Sequence, residues 1–292
     1  MEKFSSWHEL KPSDKFAKTD GVQYFEFKTA NGSDAYLIVA ETPERKSWQL
    51  KPIVNQSTAT TTNATRKSGA LASVNGAFFN LNNGESTSYI TVDGVQKCDP
   101  TTNKALTGNP KLKPFLKTIF DRSELRILRG KVGRLEYSIV PHSAHVGRDM
   151  EIVHSIQAGP RLIPSITAKE EAFIRVEADG TTVDSIGVNR PAARTAFGIT
   201  KDAKQIMLLC VAGKRQNEFS SGLTLDQLAD LMRHLGCVEA LNLDGGTSTT
   251  MSIAASDGSV QMTCGRDPET LVKTTLSVFP KAPKPNSKPI SL

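Results

Sequence analysis

One stretch constrains this chain more than any other: Ala240-Leu241-Asn242-Leu243-Asp244-Gly245-Gly246-Thr247-Ser248-Thr249-Thr250-Met251. An apolar strand ends in a carboxylate, and two glycines and a run of hydroxyl residues follow. A carboxylate closing a buried strand is costly unless it is paired, hydrated or put to chemical use. Paired glycines admit a tight turn or a close approach of backbone to a ligand. Hydroxyl and main-chain N–H groups in such a turn can hold phosphate or sugar oxygens. Taken alone, the pattern also reads as a polar turn after a core strand. The preceding residues narrow the choice. Thr224-Leu225-Asp226-Gln227 has the form of a capping box, and Leu225, Leu228, Ala229, Met232 and Leu235 fall on one helical face. Gly236 ends that helix. Apolar strands at 205–211 and 237–243 flank it. The unit strand–helix–strand, with its two strands allowed to be parallel, delivers Asp244 to the end of a buried element, where ligand sites of α/β sheets gather.

Elsewhere short strand-like runs predominate, at 22–28, 35–40, 48–54, 118–120, 125–128, 135–140 and 272–279, with Asn31-Gly32-Ser33 as a hairpin turn. Residues 56–65 are Thr-rich and polar, with a short helix expected near 63–69. Residues 99–118 carry Pro100, Pro110 and Pro114 and read as a long loop. Residues 213–222 read as a polar loop. The expected fold class is α+β: a single strand-rich mixed domain with few helices packed on the sheet. Its expected boundaries are an N-terminal arm over 1–20, the domain over 21–280, and a flexible C-terminal tail over 281–292. With 38% hydrophobic and 23% charged residues, a globular core is feasible. No run of 18 apolar residues occurs, so no membrane span is expected. The charge of +6 is spread along the chain. It favours anionic substrates by steering, but no nucleic-acid motif accompanies it, and nucleic acid is not an expected partner. Oligomeric state is left open. The segment 1–7 lacks the basic and then apolar pattern of a leader. The compartment is therefore open: exported if a leader has been removed, cytoplasmic otherwise.

Three further blocks carry polar chemistry. In Ser73-Val74-Asn75-Gly76-Ala77-Phe78-Phe79-Asn80 an apolar run turns at Asn-Gly and continues into two aromatics; alone, it reads equally as a hairpin with a hydrophobic anchor. In Ala158-Gly159-Pro160 a strand kinks and then resumes, which can bring backbone close to a ligand. Arg194 opens the apolar run Thr195-Ala196-Phe197-Gly198-Ile199. Arginine suits bidentate phosphate binding, although a loop arginine is also a common solvated charge. His142, His145 and His154 fit no zinc spacing well, and no metal ligand is assigned. Cys98, Cys210, Cys237 and Cys264 lack metal-type spacing. One disulfide is allowed, Cys98 with Cys264 being one pairing, although sequence cannot pair them.

These blocks together resemble the phosphodiester glycosidase family, whose chains show N-G-G-[YF]-F, G-G-P, R-T-A-[IV]-G and A-x-N-L-D-G-G-G-S-[ST]-T-[ML] in order. Here they stand as Asn75-Gly76-Ala77-Phe78-Phe79, Ala158-Gly159-Pro160, Arg194-Thr195-Ala196-Phe197-Gly198 and the 240–251 block, with Ser221-Gly222-Leu223-Thr224-Leu225 before the helix. Ala77, Ala158 and Thr247 replace glycines of the family pattern, which bears on substrate shape more than on reaction type. The resemblance implies a hydrolase that cleaves the glycosidic C1–O bond of a sugar-1-phosphodiester, such as an N-acetylglucosamine-1-phosphodiester, releasing free sugar and a phosphomonoester. It implies catalytic roles for Asp244, Arg194 and Asn75. Asp244 would activate water or stabilise an oxocarbenium-like centre. Arg194 would clamp the phosphate, helped by Gly245 and Gly246 N–H groups and the Ser248 and Thr249 hydroxyls. Asn75 would orient sugar hydroxyls or phosphate. Gly76, Phe79, Gly159 and Asn242 complete the expected substrate-binding set. Glu85 and Glu239 are candidates for a second carboxylate. No cofactor is required; Asp244 and Asn242 with main-chain carbonyls could hold Ca²⁺, but no Asp-rich loop supports it. A second reading is a non-catalytic binder of sugar phosphates or nucleotides using the same pocket. A Ser248 nucleophile is weaker, since no G-x-S-x-G elbow is present.

Overall fold

A computed structural model describes residues 4–42, 48–212 and 222–280. Its centre is a six-stranded sheet ordered Val22–Lys28, Asp34–Glu41, Gln205–Ala212, Arg194–Thr200, Cys237–Asn242 and Arg161–Ile163. After its first residue the Gln205–Ala212 strand is apolar because both faces of its sheet are covered. Ile206, Leu208 and Cys210 point into one core, and Met207, Leu209 and Val211 into another. The first core joins this sheet to two five-stranded sheets. One is ordered Val260–Cys264, Met251–Ala254, Ala72–Asn75, Leu271–Pro280 and Trp48–Thr60. The other is ordered Val95–Cys98, Ile90–Val92, Met150–Gln157, Ser123–Gly130 and Leu135–Pro141. Leu50, Val74, Ile90, Leu125, Ile156, Leu276, Phe197 and Leu241 meet there. A two-stranded ribbon, Ile174–Val176 with Thr182–Asp184, completes the described strands.

The second core lies under the helix Leu225–His234. Both halves of its capping box form: the Thr224 side chain accepts from the Gln227 N–H, and the Gln227 side chain accepts from the Thr224 N–H. Leu225, Leu228, Ala229, Met232 and Leu235 are buried against Phe25, Leu37, Val39, Ala196 and Ala240. Gly198 leaves room for Met232 of the helix. A Cβ there would strike Cys237 Sγ and Met232 Cε.

Strand–helix–strand is therefore present with its two strands running in the same direction, but they are not hydrogen-bonded neighbours. Arg194–Thr200 lies between Gln205–Ala212 and Cys237–Asn242 and pairs antiparallel with both. The helix carries the chain across that central strand. Residues 118–120, expected as a strand, belong to the helix Leu116–Phe120, and the expected loop before them holds short helical turns at Pro100–Thr102, Lys104–Thr107 and Lys113–Phe115. Asn103 caps the second of these through the Ala105 N–H, 3.0 Å away. The Thr-rich segment continues the strand Trp48–Thr60 before the helix Thr61–Ser68 begins. β-branched residues favour the pleated surface. In the segment before Val22, Trp7 and Phe16 are buried, one in each core. The expected loop at 213–221 and tail at 281–292 lie outside the described residues. All four cysteines are buried thiols outside any disulfide, and Cys264 sits against Cys210 rather than Cys98.

Two substitutions separate packing from capping. Leu228→Ala should cost about 2–5 kcal/mol, as a fully buried leucine losing its contacts, and Thr224→Ala about 1 kcal/mol. Denaturant unfolding that ranks Thr224→Ala as the more damaging would contradict this account of the helix.

Candidate active site

The strand Cys237–Asn242 ends on the central sheet, and the chain then turns through Gly246–Ser248 into Met251–Ala254 of the neighbouring sheet. Asp244 therefore stands where two sheets meet. Asn75, at the end of Ala72–Asn75, holds that junction. Its Nδ2 donates to the Asp244 carbonyl at 2.5 Å, and its Oδ1 accepts from Thr195 Oγ1 at 2.6 Å and from the Thr250 N–H at 3.1 Å. Next along the chain, the Gly76 carbonyl accepts the Asp244 N–H at 3.0 Å. A side chain at Gly76 would collide with Thr274, whose carbonyl accepts the Gly76 N–H at 2.9 Å. Asn75 is fully buried, and it orients the Asp244 turn instead of lining the cavity.

The cavity has a volume of about 410 Å³. Asn242, Asp244 and the 245–248 turn form its polar side. Phe78, Phe79, Leu81, Ile186 and Ala192 form most of the rest, with Ser185 and Arg194. Among the described residues Asp244 is the sole carboxylate in this lining. Its oxygens accept from the Gly245 N–H at 2.9 Å and from the Ser248 hydroxyl. Both bonds favour the ionised form, but burial outweighs them and raises the carboxyl to about 6. Glu85 is exposed and accepts from Asn83 Nδ2, and Glu239 accepts the Ile139 N–H at 3.0 Å; neither lines the cavity.

The donors expected to clamp phosphate are largely engaged within the protein. The Arg194 guanidinium donates to the carbonyls of Leu223 (2.9 Å), Ile186 (3.0 Å), Gly187 (2.6 Å) and Arg190 (2.9 Å). It is 2% exposed, and burial lowers it to about 10. An arginine sequestered in this way draws separate loops together. Here it fixes the segment bearing Ser185 and Ile186 at the cavity wall, and ties it to Leu223 ahead of the helix. The Gly246 N–H donates to the Ala193 carbonyl at 2.8 Å, and the Gly245 N–H to its neighbour's carboxylate. Thr249 is buried outside the lining. Gly159 also lies behind the lining. Its carbonyl accepts Asn242 Nδ2 at 2.9 Å, and its N–H donates to the Asn242 carbonyl at 2.9 Å. Gly159 has φ +113°, and a Cβ there would strike Glu171. Phe79, Asn242, Gly245, Gly246, Ser248, Asp244 and Arg194 thus meet at the cavity, while Asn75, Gly76, Gly159 and Thr249 support it from behind.

Of the positions that depart from the family pattern, Ala77 and Ala158 are buried in the first core and Thr247 lines the cavity. Only the last alters the cavity's surface. Leu81, Ser185 and Ile186 carry no sequence signal of their own. The one available pointer to Ser185 and Ile186 was Arg194, since a buried guanidinium needs carbonyls around it. The histidines serve elsewhere. His142 Nδ1 lies 2.8 Å from Glu124, and His154 Nδ1 accepts the Asp93 N–H, with burial lowering His154 to about 4. Among the described residues no three His, Cys, Asp or Glu side chains cluster as a metal site, and no helix is long and apolar enough to cross a membrane.

A concave, largely apolar cavity with a few converging polar groups and one shifted carboxyl, set where two sheets of an α+β scaffold meet, has the make-up of a small-molecule site. The family model for phosphodiester glycosidase matches residues 68–279, and the chain belongs to that family. Solved structures share the fold. A hypothetical protein from Synechocystis aligns at TM-score 0.63 and 15% identity, covering 94% of this chain and 64% of that one. The zebrafish N-acetylglucosamine-1-phosphodiester α-N-acetylglucosaminidase catalytic domain, auto-inhibited by its pro-peptide, aligns at TM-score 0.63 and 17% identity, covering 94% and 88%. A Burkholderia pseudomallei protein described as exported aligns at TM-score 0.60 and 14% identity, covering 85% and 74%. No curated protein matches the chain.

Asp244 makes stability depend on pH. Its carboxyl rises from 3.8 to about 6 on folding, so between those values the folded state holds the proton more tightly than the unfolded state. Its contribution to stability therefore falls as pH rises through this window, and levels off above it. Asp244→Asn should melt higher than the parent at pH 7–8, with the difference vanishing below pH 4. Melting curves that differ equally at every pH would contradict the shift.

Proposed function

We propose that the protein hydrolyses the C1–O bond of a sugar-1-phosphodiester, such as an N-acetylglucosamine-1-phosphodiester, to free sugar and a phosphomonoester. One observation carries this reading: the one carboxylate that lines the cavity among the described residues lies within the family-matched segment, and burial pushes it up to about 6. The name of the zebrafish relative supports the choice of sugar. In this reading water attacks C1 as the C1–O bond breaks. The electron pair leaves with the phosphate, whose low basicity makes strong acid assistance unnecessary. Ionised Asp244 receives the water proton or faces the developing oxocarbenium charge. Gly245 and Ser248 hold the carboxylate in place. Asn75 and Arg194 are positioning residues, one for the Asp244 turn and the other for the Ile186 wall. No metal or other cofactor enters this scheme.

Asp244→Asn should lower kcat by about 10²–10³, and kcat/KM of the parent should rise with pH through about 6 as the carboxyl ionises. Asn75→Ala, which strands the buried Thr250 N–H and Asp244 carbonyl, should cost about 2–4 kcal/mol of stability as well as activity. Both products can be followed by NMR on a panel of sugar-1-phosphodiesters of both anomers. Full turnover by Asp244→Asn would refute the assignment. Tight binding of intact ester without product would favour a binding role.

A further inference from the structure

The cavity is two-sided. Its carboxylate and most of its hydroxyls come from the 242–248 segment, while Phe78, Phe79 and Leu81 arrive together on one hairpin, with Ile186 and the Ser185 hydroxyl joining them from a separate loop. That hairpin is held in shape by its own hydrogen bonds. Asn80 N–H donates to the Glu85 carbonyl at 2.8 Å, Gly84 N–H to the Asn80 carbonyl at 2.7 Å, and Thr87 N–H to the Phe78 carbonyl at 3.1 Å. Asn80 Oδ1 accepts the Asn82 N–H at 2.8 Å, and Asn83 Oδ1 accepts the Glu85 N–H at 3.0 Å. The result is a preset tip whose Leu81 is 78% exposed while also lining the cavity. A leucine fixed in water at a cavity wall gains from a ligand that covers it, and its fixed backbone spares much of the ordering cost of binding.

The charge pattern points the same way. Arg194 is the one cationic side chain in the lining among the described residues, and four carbonyls already engage it. A phosphodiester anion meets little compensating charge there, so affinity for the group beyond the phosphate has to come from apolar burial.

We propose that the Phe79–Leu81 side of the cavity is a subsite for an apolar aglycone, an alkyl or aryl group on the far ester of the phosphate, and that Leu81 sets the preference for it. This inference rests on the glycosidase reading and narrows its substrate class. Burial of a methylene corresponds to roughly three- to fourfold in binding, so a partly covered chain should gain less per carbon and still accumulate.

The test uses N-acetylglucosamine-1-phosphodiesters of methanol, butanol and octanol, of both anomers, with kcat and KM separated. From methyl to octyl, KM should fall by about 10- to 100-fold with kcat little changed, and Leu81→Ser should flatten the series to within about threefold. A flat series in the parent, or an undiminished slope in Leu81→Ser, overturns the subsite while leaving the glycosidase reading intact. If no ester is cleaved, the glycosidase reading fails, and calorimetry with octyl phosphate and methyl phosphate decides the subsite on its own. Tighter binding of octyl phosphate that Leu81→Ser removes supports it; equal binding of the two overturns it.

Discussion

The side-chain amide of Asn75 holds the junction on which the cavity depends. Two sheets meet at the Asp244 turn, and neither sheet's ladder extends across the gap. Asn75 bridges it with one donor and one acceptor, reaching Asp244 in the connecting turn, Thr195 in the central sheet and Thr250 at the start of the next strand. A buried amide that satisfies groups on three segments specifies their relative placement in a way that apolar packing cannot, because hydrogen bonds are directional and costly to leave unmade. Gly76 adds the main-chain half of the same joint.

Around that joint most polar groups are fixed, and one carboxyl is left strained by burial. Most donors near the cavity are consumed internally: Arg194 by carbonyls, the Gly246 N–H by Ala193, and Asn242 Nδ2 by Gly159. Asp244 is the group left in an unfavourable state, raised by burial and only partly relieved by Gly245 and Ser248. The scaffold thus bears the cost of one ill-solvated carboxylate through the stability of two well-packed cores.

Much of this was legible in the sequence where a local rule applied. The capping box at Thr224 and Gln227 and the apolar face of the following helix form as the spacing predicts. The strand leading to Asp244 ends within one residue of the expected limit. The non-local features were hidden. Nothing in the order of residues says that Arg194–Thr200 inserts between the two strands that the helix connects, since strand order is set by packing of whole sheets. The 118–120 run is apolar enough for a strand, yet it follows a chain of short helical turns and closes them as a helix. Arg194 and Asn75 were recognisable as important, but the direction in which their hydrogen bonds point depends on loops distant in sequence. Leu81 and Ile186 became visible only once those loops were in place.

Ala77 and Ala158 stand where the family's motifs have glycine, and both side chains are buried in the hydrophobic interior. Each methyl thickens the wall behind the cleft without entering it. Two departures that look chemical when the motifs are spelled out letter by letter are mechanical in three dimensions. Divergence in this fold is better judged by which side of the wall an altered atom occupies than by how many motif letters have changed.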